Sequence, residues 1–347
     1  MTTYTTVSPH HAIRSDWLAL HREEILEPEL PIIDPHHHLW DRTGNRYFVF
    51  DLLEDIAGGH NVRATVAVEA GAMYNRDVAA ELSTVGETEF LNGQAAISAS
   101  GAYGECRVAA GIVGHADLRL GERVKPVLDA HLRAGGGRFR GVRFISVWHP
   151  DPRAHASLAK PPPHVLQDPN FRKGLAQLAP LGLSFDAWMY HTQLSEAIEL
   201  AQAFPDTVII LNHVGGAIGI GPYAGKRDEV FADWRGSMRT LSRCPSVYVK
   251  LGGLGMRLFG FDFVAGERPP TSEQLAQAWR PYIETCIDAF GVERCMFESN
   301  FPVDKGSCSY HVSWNAFKRI ASGASAPDKR ALFSETARRV YRLDGVI

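Results

Sequence analysis

Short apolar runs rich in β-branched residues alternate with amphipathic segments along most of the chain. The runs "PIIDPHHHL", "RATVAVEAG", "RVAAGIVGHADL", "RGVRFISVW", "LSFDAWMY", "TVIILNHVGG", "SVYVKLGGL" and "RCMFESNFPV" predict strands. Between them, segments such as "GERVKPVLDAHLRA", "HTQLSEAIELAQAF" and "DEVFADWRGSMRTLSRC" space their apolar residues by three and four, which predicts helices. "TSEQ", from Thr271 to Gln274, predicts a capping box opening one of them. Repeated strand and helix alternation of this kind predicts an α/β fold, a (β/α)8 TIM barrel. A doubly wound sheet is the competing fold, but the first strand is followed by no glycine-rich phosphate turn. The nearest candidate, "GIGPYAG" from Gly219, is broken by Pro222.

Three segments that follow strands are long and poor in helical pattern: "HPDPRAHASLAKPPPHVLQDP", "GGAIGIGPYAGKRDEV" and "GLGMRLFGFDFVAGERPPTSE". In a barrel all three rise from the C-terminal face, where active sites are built. Residues 1–30, partly helical around "SDWLALHREEIL", are expected to form an arm packed on one barrel domain spanning 31–347.

Composition narrows the function. Of 347 residues, 45% are apolar, enough for a full core. The formal charge of -3 argues against a basic nucleic-acid binder. No apolar run reaches the length of a membrane span, and the first thirty residues lack a secretory signal pattern. Five cysteines without CxxC spacing suit a reducing cytoplasm better than a disulfide framework. The expected partner is therefore a small molecule. Leu258, Phe259, Phe261 and Phe263 are expected to form either a capping loop or a contact between copies in a homo-oligomer.

The densest candidate chemistry is "PIIDPHHHLWD", residues 31–41. Strand alternation would turn Asp34, His36 and His38 to one side and His37 to the other. At the end of a first barrel strand, two imidazoles facing the mouth are poorly explained as core residues, since burying them without partners is costly. They suit metal binding or polarisation of a substrate oxygen.

That opening resembles the DxHxH motif of the amidohydrolase superfamily, and more narrowly the amidohydrolase 2 branch that holds sugar-lactone and pyrone-dicarboxylate lactonases. "FRGVRF", "IILNHVGG" and "CMFESNFPVD" fit the fourth, sixth and eighth strands of the same branch. The resemblance implies that His36, His38 and His213 hold a divalent metal, zinc by ligand type. It further implies that Arg143 grips the substrate carbonyl or carboxylate. Arg140, three residues earlier, is expected by strand spacing to face the other way, as a surface or helix-layer residue. The branch usually ends its eighth strand in an aspartate that binds metal or acts as base; this chain has Asn300 there. A neutral amide cannot take a proton from water. Glu298, as base and fourth metal ligand, is the expected substitute, with Asp304 as the alternative and an ion pair to Lys250 as the structural reading of Glu298.

Around these, Glu69 is expected at the substrate or behind a histidine, Asp186 behind a histidine, and Asp304 also at the substrate. Lys250 is expected at the substrate or in an ion pair, and His191 as a polar cap, with the metal ligand that more distant superfamily members place after the fifth strand as its alternative. Trp40, Tyr74, Trp148, Trp188, Tyr190 and Phe301 are expected to wall a small-molecule pocket. The implied activity is hydrolysis of a lactone by activated water. A decarboxylase or hydratase of the same branch is the rival, and a barrel that only binds is the third reading.

Overall fold

The computed structural model describes residues 10–345. Its eight barrel strands are β1 (Ile32–His37), β2 (Val62–Val68), β3 (Arg107–Gly114), β4 (Phe139–Ile145), β5 (Ser184–Trp188), β6 (Ile209–Leu211), β7 (Val247–Leu251) and β8 (Cys295–Phe297). They pair in chain order, all parallel. Two bonds close the circle: Asn300 N–H donates to His36 O at 2.9 Å, and His38 N–H to Phe301 O at 2.7 Å. Closure makes this a TIM barrel and removes the doubly wound alternative.

The helices that follow the strands in turn are α1 (Val49–Ile56), α2 (Val85–Ala99), α3 (Lys125–Ala134), α4 (Pro169–Leu175), α5 (Leu194–Ala203), α6 (Arg227–Leu241), α7 (Ser272–Phe290) and α8 (Tyr310–Ile320). α7 begins at the capping box that "TSEQ" announced: Gln274 N–H donates to Thr271 Oγ1 at 3.2 Å, and Thr271 N–H to Gln274 Oε1 at 2.9 Å. Phe261 and Phe263 stack on each other and pack against Tyr282 and Trp279 of the same helix.

The barrel interior has two levels. At the N-terminal end, Ile33, Val66, Val113, Ile210 and Met296 form an apolar plug, joined from below by Tyr341 and Leu343 of the C-terminal segment. Above it the interior is charged: Glu69, Arg143, Asp186, Lys250 and Glu298 are each at most 4% exposed. Charges are taken out of water at this cost only when paired, and such pairs concentrate where a fold does chemistry.

Several local expectations change. Residues 1–9 of the expected arm lie outside the described residues. Within 10–30, helix is confined to Ser15–Leu18. The polar side chains that follow serve the barrel instead, Glu23 accepting from Ser272 N at 2.7 Å and from Asn315 at 3.1 Å. Asp34 does not share the facing of His36. A register shift between Asp34 and His37 breaks the alternation, so Asp34 turns to Ser299 and to Tyr310 of α8 at 3.0 Å. Arg140 likewise escapes the helix layer. The register shift between β3 and β4 sets its stem, with Val66 and Leu343, around Gly111 at the far end of the barrel.

All five cysteines are free and buried, and no described helix is long and apolar enough to cross a membrane.

Burial leaves a pH signature. His60, His131 and His191 are lowered from 6.5 to about 4, chiefly by desolvation. Below pH 6.5 the unfolded chain binds protons that these folded imidazoles refuse, so their stabilisation is full above 6.5 and is lost as pH falls toward 4. Each shift is worth on the order of 3 kcal/mol. Thermal melts should therefore show Tm dropping steeply across that window, where a flat profile would contradict the burial of these rings.

Candidate active site

The C-terminal ends of β1, β4, β6 and β8 converge on a cavity of about 500 Å3. His38, Trp40, Glu69, Arg143, His213 and Asn300 line it, with Trp188 and Tyr74. Two of these sit in left-handed backbone, His213 at φ 53° and Asn300 at φ 56°. Conformations this unfavourable for side-chain-bearing residues survive where surrounding contacts fix them, and they cluster at functional sites.

Glu298 is the organising group. It is wholly buried and lies beneath the cavity rather than on its wall. Its Oε1 accepts from His213 Nδ1 at 2.7 Å and from His213 N at 3.1 Å. Its Oε2 lies 2.9 Å from His36 Nδ1. Burial lowers the pKa of His213 in spite of the upward pull of Glu298, so the ring is neutral at pH 7. With Nδ1 tied to the carboxylate, Nε2 is the ring nitrogen left to the cavity.

His36 is the pivot between groups. Its Nδ1 also lies 3.2 Å from Lys250 Nζ. Its Nε2 lies 3.2 Å from His38 Nε2 and 3.3 Å from Arg143 Nη1. A proton on Nδ1 faces the otherwise orphaned Glu298 Oε2 and leaves Nε2 an acceptor. His38 donates from Nδ1 to Val68 O at 2.8 Å, so its Nε2 is an acceptor too. With His36 in that tautomer two lone pairs converge at 3.2 Å, a spacing that a cation between them would satisfy; with Nδ1 accepting from Lys250 instead, Nε2–H donates to His38 Nε2. In a tetrahedral divalent-ion site with bonds of about 2.0–2.1 Å, ligand nitrogens sit at about this spacing. Ligand atoms of His36, His213 and Glu298 also lie within 4.8 Å of one another. The donor set therefore fits a divalent ion, with Arg143 competing for the His36 lone pair.

Arg143 is itself held by Glu69, donating from Nε to Oε1 at 2.8 Å and from Nη2 to the backbone carbonyl. Glu69 orients the arginine, not a histidine. Asp186 likewise serves Lys250 at 2.7 Å and Tyr341 at 2.9 Å. Lys250 is therefore a structural cation under His36, wholly buried, off the cavity wall, and paired with Asp186 rather than Glu298.

The missing aspartate is answered in two layers. Asn300 lines the cavity and donates from Nδ2 to Asp304 Oδ1 at 2.9 Å, leaving its own Oδ1 buried without a partner. Asp304 stands behind it, accepts from Gly255 N at 2.9 Å, and is pushed up to about 8 by burial. It does not reach the cavity wall.

Trp148, Tyr190 and Phe301 also lie off the wall. Strand-end position alone could not separate a pocket wall from core: Tyr190 Oη instead accepts from Ala156 N–H at 3.0 Å and so anchors the loop after β4. His191 accepts from Ile218 N at 3.2 Å, an ordinary polar role. Lining residues that sequence reasoning missed include His10, Arg42, His115, Arg119, Lys160 and Met256. They come from loops and from the arm, where no periodicity marks them. "KLGG" was a usable signal: a Cβ on Gly253, at φ +68°, would lie 2.4 Å from His213 Nδ1. Gly253→Ala should therefore displace His213 and lower activity by about 100-fold or more, since small misplacements of a reacting group have effects of that size. Near-normal turnover in that variant would show that His213 need not be placed so tightly.

A family model described as Amidohydrolase matches residues 33–343. The uncharacterized protein y4mH of Sinorhizobium fredii is 37% identical over 334 residues, 91% of this chain and 99% of that protein. An L-fucono-1,5-lactonase of Burkholderia multivorans is 27% identical over 325 residues, covering 90% and 96%. An amidohydrolase structure from Burkholderia multivorans with bound zinc superposes with a TM-score of 0.69 at 25% identity, covering 90% of this chain and 99% of that one.

Proposed function

The chain belongs to the amidohydrolase family, and from that premise we propose that it hydrolyses a small lactone by attack of activated water on the ring carbonyl. One observation carries this reading: a proton-accepting imidazole, His213, backed by the buried Glu298, faces the same cavity as the Arg143 guanidinium. The L-fucono-1,5-lactonase relative supports an ester over an amide.

Asn300 lines the cavity, but its Oδ1 is buried out of reach of the attacking water. It cannot take the proton; His213 Nε2 does, while Glu298 balances the imidazolium that forms. The carbonyl oxygen becomes negative against Arg143 Nη1. The bond from carbonyl carbon to ring oxygen then breaks, and His213 Nε2 returns its proton to the departing oxygen. The product is a hydroxy acid, which ionises and releases one proton. A divalent ion, when bound, would be held by Nε2 of His36 and of His38, with Glu298 orienting His36 from its Nδ1 side, and would add Lewis acidity at the carbonyl. Imidazole ligands suit zinc.

Proton release in weak buffer across a panel of five- and six-membered lactones and matching lactams tests this. At least one lactone should turn over, with its lactam about 100-fold slower or worse. Equal rates, or silence across the panel, would overturn the proposal. Asn300→Asp should in addition raise zinc affinity at least tenfold in a chelator competition, because it restores an anionic donor; unchanged affinity would place the ion elsewhere.

A further inference from the structure

We propose that the outer cavity carries a second, anion-binding subsite, formed by Arg42 and Lys160, that holds a substrate carboxylate remote from the reacting carbonyl; this rests on the lactonase reading of the floor. Four basic side chains line the cavity, Arg42, Arg119, Arg143 and Lys160, against a single acid, Glu69. Pairing accounts for half of them. Glu69 is engaged by Arg143 at 2.8 Å, and Arg119 is held by both oxygens of Asp117 at 2.8 Å.

Arg42 and Lys160 have no carboxylate within ion-pair range among the described residues. Arg42, on the hairpin after β1, is half-buried. Its guanidinium lies 3.8 Å over the Trp40 ring, and Nη2 donates to Ala70 O at 2.7 Å. One face and one edge are thus fixed, and the remaining donors stay open. Glu87 and Glu69 act on Arg42 only from beyond ion-pair range, so the open donors of this partly desolvated guanidinium suit the charge of a ligand. Lys160 approaches from the loop after β4, which Tyr190 Oη pins through Ala156. Two unpaired cations from different loops line one cavity of about 500 Å3, room for a ring and a charged arm. The planar fork of Arg42 matches a carboxylate, and Lys160 adds a point charge.

The subsite can be tested without turnover, by ligand-observed NMR titration of the full chain with tetrahydrofuran-2-carboxylate and its size-matched carboxamide. The carboxylate should bind at least tenfold more tightly. Arg42→Gln should narrow the ratio below threefold, and Lys160→Gln, on an exposed loop with no packing role, should narrow it without any question of folding. Equal affinities for acid and amide overturn the proposal. So does a ratio that survives both variants, which would assign the carboxylate to Arg143. Silence of the lactone panel would sink the hydrolytic reading and leave this binding result standing.

Discussion

Glu298→Gln is expected to lower kcat by about 10^3-fold or more while leaving the fold intact. The side chain keeps its shape, and at 0% exposure it meets no solvent whose access could change. What changes is charge and proton bookkeeping. The carboxylate accepts from His213 Nδ1 on one oxygen and faces His36 Nδ1 with the other. An amide offers one acceptor and one N–H, so one imidazole must adopt the other tautomer. The imidazolium formed when His213 takes the proton of water also loses its counter-charge. Steady-state kinetics on the best lactone, with a thermal melt as control, read both effects. A loss below tenfold with Tm unchanged would mean that Glu298 is merely structural.

Arg143→Lys is expected to reduce kcat/KM by about 10^2- to 10^3-fold, matching the loss of one preorganised oxyanion donor. Charge is retained, so the effect isolates geometry. Three N–H groups of the guanidinium are placed at once, two on Glu69 and one toward His36 Nε2 at 3.3 Å. An ammonium on a shorter reach cannot span those positions. KM alone should move less than kcat, because the donor matters most when the oxygen is negative. A purely KM effect would recast Arg143 as a ground-state binding group.

The barrel was legible because parallel strands buried on both faces write unbroken apolar runs, and because capping at Thr271 depends on local chemistry alone. The histidines were legible for a similar reason: His36, His38 and His213 lie at strand ends, where residue spacing maps directly onto the mouth. Facing failed where the backbone departs from regular alternation. Pro35 and Gly141 sit within the register shifts that reverse Asp34 and Arg140. Partner choice failed because it depends on contacts between distant strands. Nothing near Lys250 in sequence signals that Asp186, 64 positions away, rather than Glu298, takes its charge. Loop residues such as Arg42 and Lys160 carry no period at all, so only their meeting in space reveals them.

The most direct test of water attack guided by His213, Glu298 and Arg143 is lactone opening in 18O-enriched water, followed by mass spectrometry of the product. One heavy oxygen should appear in the carboxylate and none in the new hydroxyl, and Glu298→Gln should slow that uptake by about 10^3-fold or more. Label in the hydroxyl, or carbon dioxide released without label uptake into the acid, would contradict acyl attack at this site.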